Sequence, residues 1–199
     1  MSLKKGSLPY LISSDLSRFA QTYALRGQKY SGVKIFFESF IFKAGFQAVF
    51  LYRLSHWFFE KHCIYLAWFF SRLNQSVTGA EMEFNAEIGP ALFIAHPSGI
   101  VIGRGTVMGS SITIFQGVTF AAKSWHPGEI DKFPVVGDGC YFFAHCTVIG
   151  DVRIGNNCVV GAQALVNKDM PDNSLAVGAT ANIIPEKGKD LSGAWINGL

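Results

Sequence analysis

Between Ile88 and Met170 a small apolar side chain returns at every sixth residue. The positions run Ile88, Ile94 and Ile100, then Ile102, Met108, Ile114 and Phe120, then Val136, Phe142, Val148, Ile154, Val160 and Val166. Glycine follows directly at 89, 103, 109, 137, 155 and 161. A fixed six-residue period predicts very short strands stacked into a parallel β-helix. One apolar side chain per strand points into a narrow core, and a tight turn of Gly, Asn, Asp or Ser follows it. Each coil hydrogen-bonds to the next, so no coil is stable alone. The period slips by two residues between Ile100 and Ile102, where the wall is expected to bulge. It breaks over Ala121–Phe133 (AAKSWHPGEIDKF), which predicts a loop projecting from one face.

Upstream the pattern is different. Ser13-Ser14-Asp15 is expected to cap a helix through Leu16, Phe19, Tyr23 and Leu25. From Val33 to Leu73 aromatic residues crowd a helical pattern, with a turn predicted near Glu60–Cys63 and a stop at Thr78-Gly79. The chain thus divides into a helical region (1–78), a β-helix (79–185) and a polar, Gly-rich tail (186–199).

Composition sharpens this picture in three places. Hydrophobic residues make up 49% of the chain and charged residues only 16%, so the excess belongs in a core, an oligomer interface or against a membrane surface. Glu38, Lys43, Arg53, Glu60, Lys61 and Arg72 interrupt every window long enough to span a bilayer. The helices are therefore expected to pack on each other and on the β-helix, with contact at a membrane surface as the second reading. A net charge of +3 without a dense basic run argues against nucleic acid. The cysteines (63, 140, 146 and 158) form no CxxC pair, and the last three share one hexad position. They read as small core or turn residues, reduced in a cytoplasmic protein.

Five histidines are the candidates for chemistry. His56 and His62 sit among helical aromatics, and His145 lies in a rung. His96 lies directly before the register slip, and His126 in the projecting loop. No second ligand stands near enough to His96 in sequence for a metal site, and none is expected. A lone imidazole on a β-helix wall can act as general base on a hydroxyl that attacks an activated acyl group. Its second nitrogen needs a partner, and Glu81, fifteen residues earlier, lies close to one coil away.

The residues KAGFQAVFLYRLSHWFFEKH, LNQSVTGAEM and AEIGPALFIAHPSGIVIG, followed by TIFQGVTF and VVGDGCYFFAHCTVIGDVRIGNNCVVGAQALVNKDMPDNSLAVGA, resemble the serine acetyltransferase family over the last three-quarters of the chain. The resemblance implies a left-handed β-helix, a homotrimer and acetyl transfer from acetyl-CoA. It gives His96 the role of base and Glu81 that of its orienter, with Glu where the family has Asp. It lays the pantetheine arm along Ala122, Ala144 and Ala162, in a groove between subunits, with Lys168 near the coenzyme phosphates. Three departures stand on the acceptor side. Ala95 replaces an Asp, an upstream Asp-Pro pair is missing near Tyr30-Ser31, and Lys132-Phe133-Pro134 replaces Arg-His-Pro. The family's long helical N-terminus and terminal isoleucine are likewise unmatched. On these departures the chain is closest to the capsule and exopolysaccharide branch. A sugar hydroxyl becomes the expected acceptor, with Ala95, Trp125 and His126 on the substrate side and Trp125, Tyr141, Phe142 and Phe143 as parts of an aromatic platform, although Phe142 is on the core register. That reading puts the enzyme in the cytoplasm, at the inner membrane face when it works on lipid-linked glycans. L-Serine acetylation for cysteine synthesis is the alternative, and a non-catalytic trimeric scaffold the second.

Overall fold

A computed structural model describes residues 6–24, 32–123 and 132–178. Fourteen strands of two or three residues form three parallel sheets, the walls of a triangular left-handed prism. The first wall (sheet A) stacks β1 (Glu81–Met82), β4 (Val101–Ile102), β7 (Thr119–Ala121), β10 (Thr147–Ile149) and β13 (Leu165–Val166). The second (sheet B) stacks β2 (Glu87–Ile88), β5 (Val107–Met108), β8 (Val135–Val136) and β11 (Arg153–Ile154), and Met170 bridges to Ile154 beyond it. The third (sheet C) stacks β3 (Phe93–Ile94), β6 (Thr113–Ile114), β9 (Tyr141–Phe142), β12 (Val159–Val160) and β14 (Leu175–Ala176).

Every hexad position named from the sequence is buried, and Met82 extends the ladder one step upstream. A second buried ladder runs two residues earlier on each strand, through Ala86, Leu92, Ile112, Val118, Cys140, Cys146, Cys158 and Ala164. This ladder explains the slip: Ile100 stands two residues before Ile102 and belongs to it. The three hexad cysteines fill it as small core residues, as the spacing predicts. Burial pushes the Cys140 thiol up to about 11 and the Cys146 thiol up to about 12.

Among the described residues four helices precede the prism: α1 (Leu8–Ala24), α2 (Gly32–Phe42), α3 (Ala44–Glu60) and α4 (Ile64–Thr78). The turn after Glu60 and the stop at Thr78 are as predicted, and Gly79 closes α4 in the left-handed conformation (φ 75°). The cap at Ser13–Asp15 is not: α1 begins five residues earlier, and Asp15 is fully buried within it. The Asp15 carboxylate instead accepts from Arg53 Nε at 2.8 Å and from the Leu92 N–H at 2.8 Å. Burial pushes its carboxyl upward, and the Arg53 guanidinium beside it pulls it back.

The helices seal one end of the prism. In this fold the N–H groups of one coil donate to carbonyls of the next, as Glu81 does to Ile100 and Glu87 to Thr106. The outward-facing carbonyls of the first coil's strands therefore have no coil beyond them. Side chains of α3 and α4 supply the donors. Ser71 Oγ donates to Met82, His56 Nδ1 lies 2.7 Å from the Phe84 oxygen, Tyr52 Oη donates to Ala86, and Arg53 donates to Ile88 and Gly89. The approach is close enough that Gly45 has no room for a side chain, since a Cβ there would meet the Ile94 carbonyl.

Candidate active site

The three corners of the prism are not alike. Between sheets C and A the chain turns through Ser98-Gly99, Gln116-Gly117, Ala144-His145 and Ala162-Gln163, stacked coil upon coil. Gly117 donates to Ser98 at 3.0 Å, His145 to Gln116 at 2.9 Å and Gln163 to Ala144 at 3.0 Å. His96 stands at the first of these turns, which carries the two extra residues of the register slip: Glu81 pairs with Val101, twenty residues on, whereas Val101 pairs with Thr119, eighteen on. Its side chain is exposed. The structure thus brings His96, Ala144 and Ala162 to one corner.

It sets the other two coenzyme candidates apart. Ala122 follows β7 and Lys168 follows β13, so both lie across sheet A at the corner with sheet B. Glu81 opens the first coil, and His96 stands at that coil's closing corner rather than one coil away. The Glu81 carboxylate accepts from Gln75 Nε2 at 3.0 Å, and among the described residues no hydrogen bond joins it to His96. Trp125 and His126 lie outside the described residues, as does the tail from 179 onward.

Next to Glu81 the outer face of sheet A opens into a cleft of about 330 Å³. Glu81 and Glu83 line it together with Arg104, Lys123, Ala122 and Phe133. Sequence reasoning missed the two cations. The signal was available, since Arg104 and Lys123 follow Ile102 and Phe120 at the same corner, one coil apart. The stretch aligned with Arg-His-Pro has structural work here: Lys132 Nζ pairs with Asp151 at 2.7 Å, and the Phe133 ring covers Gly103 and Gly105. The aromatic platform divides as the core register predicts. Phe142 is wholly buried against Phe120, whereas Phe143 is half-exposed and stacks on Phe115 at 5.0 Å. His145 adopts φ 60° in a left-handed column that runs Gly79, Gly99, Gly117, His145 and Gln163, and its ring lies over Gly117. Among the described residues no group of three His, Cys, Asp or Glu could hold a metal.

A left-handed prism of hexads with an exposed imidazole at the slipped turn of one corner defines a hexapeptide-repeat acyltransferase, and residues 133–168 match the bacterial transferase hexapeptide (six repeats) family model. The serine acetyltransferase of Bacillus pumilus is 31% identical over 149 residues, covering 75% of this chain and 68% of that protein. That of Helicobacter pylori is 35% identical over 147 residues, covering 74% of this chain and 85% of that protein. The chain belongs to the serine acetyltransferase family. Soybean serine acetyltransferase complexed with serine superposes with a TM-score of 0.75 at 27% identity, over 89% of this chain and 70% of that one.

These likenesses correct the expected acceptor. The relatives are serine acetyltransferases, not capsule or exopolysaccharide enzymes. The sugar reading rested on three substituted positions. One of them is committed to packing here, and the cleft beside Glu81 supplies charges of both signs that were not counted.

Proposed function

We propose that this protein is an acetyl-CoA-dependent L-serine O-acetyltransferase serving cysteine synthesis. The observation that carries the reading is the match of three-quarters of the chain to serine acetyltransferases. The cleft supports it physically. A zwitterion needs a carboxylate for its ammonium group and a cation for its carboxylate. Glu81, Glu83, Arg104 and Lys123 offer both within one wall.

In this reading His96 is the general base. Its imidazole takes the proton of the serine hydroxyl as that oxygen bonds to the thioester carbonyl carbon. The same imidazolium returns the proton to the departing sulfur as the carbon–sulfur bond breaks, so the imidazole ends neutral. Glu81 orients the ring once Gln75 releases it, and backbone N–H groups of the corner steady the oxygen that gains charge. Ala144 and Ala162 are small enough to leave a groove for the pantetheine arm. Lys168, further along the same edge, receives the phosphates.

Ala122 and Lys168 lie at a different corner from Ala144 and Ala162, and this split supports a homotrimer with sites at the seams. There one copy's sheet A–B edge would face the next copy's sheet C–A edge. Reduced, buried thiols support a cytoplasmic location.

The test is release of coenzyme thiol from acetyl-CoA by purified protein with L-serine. Brisk turnover is the expected result. Acetyl-CoA binding without turnover on L-serine would overturn the proposed acceptor.

A further inference from the structure

The helical cap has an outward face that nothing among the described residues covers. On α4, Tyr65, Phe69 and Arg72 fall on one exposed stripe at helical spacing, and the exposed Lys61 stands in the turn just before the helix, so a cation flanks the aromatics on each side. Tyr65 is 88% exposed and Phe69 58%. The guanidinium of Arg72 also lies 6.0 Å from the Trp68 ring, itself half-exposed. No acidic residue occurs anywhere on α4. On α2, Phe37 and Ile41 are each 58% exposed, one turn apart. Between them, the outer side of α3 carries no charge from Phe50 through Phe58 except Arg53, which is turned inward and buried against Asp15. Helices α2 and α3 together are long and apolar enough for a bilayer span, yet they meet at 102°, and no single helix passes that test.

We infer that this face docks on an anionic lipid surface, with the helices lying along the interface rather than crossing it. Two features favour lipid over a second copy of the chain. A facing α4 would offer no carboxylate to Arg72, whereas anionic headgroups would. The face also lies beyond the first coil, along the prism axis. Copies packed side by side would leave it open, and all would present it in the same direction. The inference does not rest on the proposed reaction.

The test is co-sedimentation of the full chain with vesicles of phosphatidylcholine, with and without phosphatidylglycerol. Pelleting with the anionic vesicles, weakened by salt, is expected. Lys61→Glu/Arg72→Glu should bind at least about tenfold more weakly, since each cation near such a surface contributes about fivefold. Phe37→Ser/Phe69→Ser should weaken binding to a similar degree. Circular dichroism would confirm that the helices persist in both variants. Wild-type protein that stays in the supernatant, or variants that bind unchanged, would overturn the inference. So would a lipid-indifferent protein whose oligomer falls apart in the Phe37→Ser/Phe69→Ser variant, because that result gives the face to a second copy.

Discussion

Two corners of the same prism are built to opposite rules. The corner between sheets B and C is tied by side chains from end to end. Asp138 Oδ1 accepts from the Ser110 N–H at 2.6 Å, Asn156 Oδ1 from the Asp138 N–H at 2.8 Å, and Asp172 Oδ1 from the Asn156 N–H at 2.7 Å. In the first coil the Asp15–Arg53 pair does the same work, gripping Ile88, Gly89 and Leu92. The corner between sheets C and A has no such side-chain ladder among the described residues. It carries Gly, Ala and two exposed imidazoles on backbone hydrogen bonds alone. A solenoid repeats its backbone, so apart from the slip at His96 and the insertion after β7 its corners differ in their side chains. The corner left unlocked is the one with room for a substrate.

The contrast can be broken most sharply at His96. His96→Ala should cut turnover by about a hundredfold to ten-thousandfold, with the melting temperature almost unchanged, as steady-state kinetics and thermal denaturation would read. A large loss of stability would instead make this corner structural. Asp15→Ala tests the other corner. It leaves the Arg53 charge buried without its partner and should cost about 3–5 kcal/mol of stability, seen in chemical denaturation. Ala144→Leu narrows the proposed groove and should raise the KM for acetyl-CoA about tenfold, roughly 1.4 kcal/mol, while leaving that for serine near its starting value. An unchanged KM would move the coenzyme elsewhere. The smallest effect concerns the core ladder beneath both corners. At pH 8 a thiol reagent should label Cys63, which is exposed, and spare Cys140 and Cys146. Their thiols ionise only near 11 and 12, so almost no thiolate exists at pH 8. Rapid labelling of Cys140 or Cys146 would mean that the coils open.

The locked corner was poorly legible in the sequence and the open one well legible, for physical reasons. Hexads announce themselves because each strand repeats one apolar choice, and His96 stood out because the period slipped beside it. Counting rungs also separates Ala122, after a sheet A strand, from Ala144, after a sheet C strand, although resemblance alone grouped them. The Asp15–Arg53 joint follows no period. It links residues 38 apart and reaches a corner 77 residues from Asp15, so Asp15 looked like an ordinary helix cap. The acceptor side misled for a different reason. Three replaced residues were weighed singly, while the cleft gathers Glu81, Glu83, Arg104 and Lys123 from separate coils.

The donors that α3 and α4 extend to the first coil also set a limit on growth. A stack of parallel strands is a template that lengthens whenever a free donor edge meets a free acceptor edge. Here Tyr52, Arg53, His56 and Ser71 occupy the acceptor edge from within the same chain. A second prism arriving end-on at that face finds no carbonyl row to continue, so the helices act as a chain terminator that keeps a self-repeating wall from becoming a fibre.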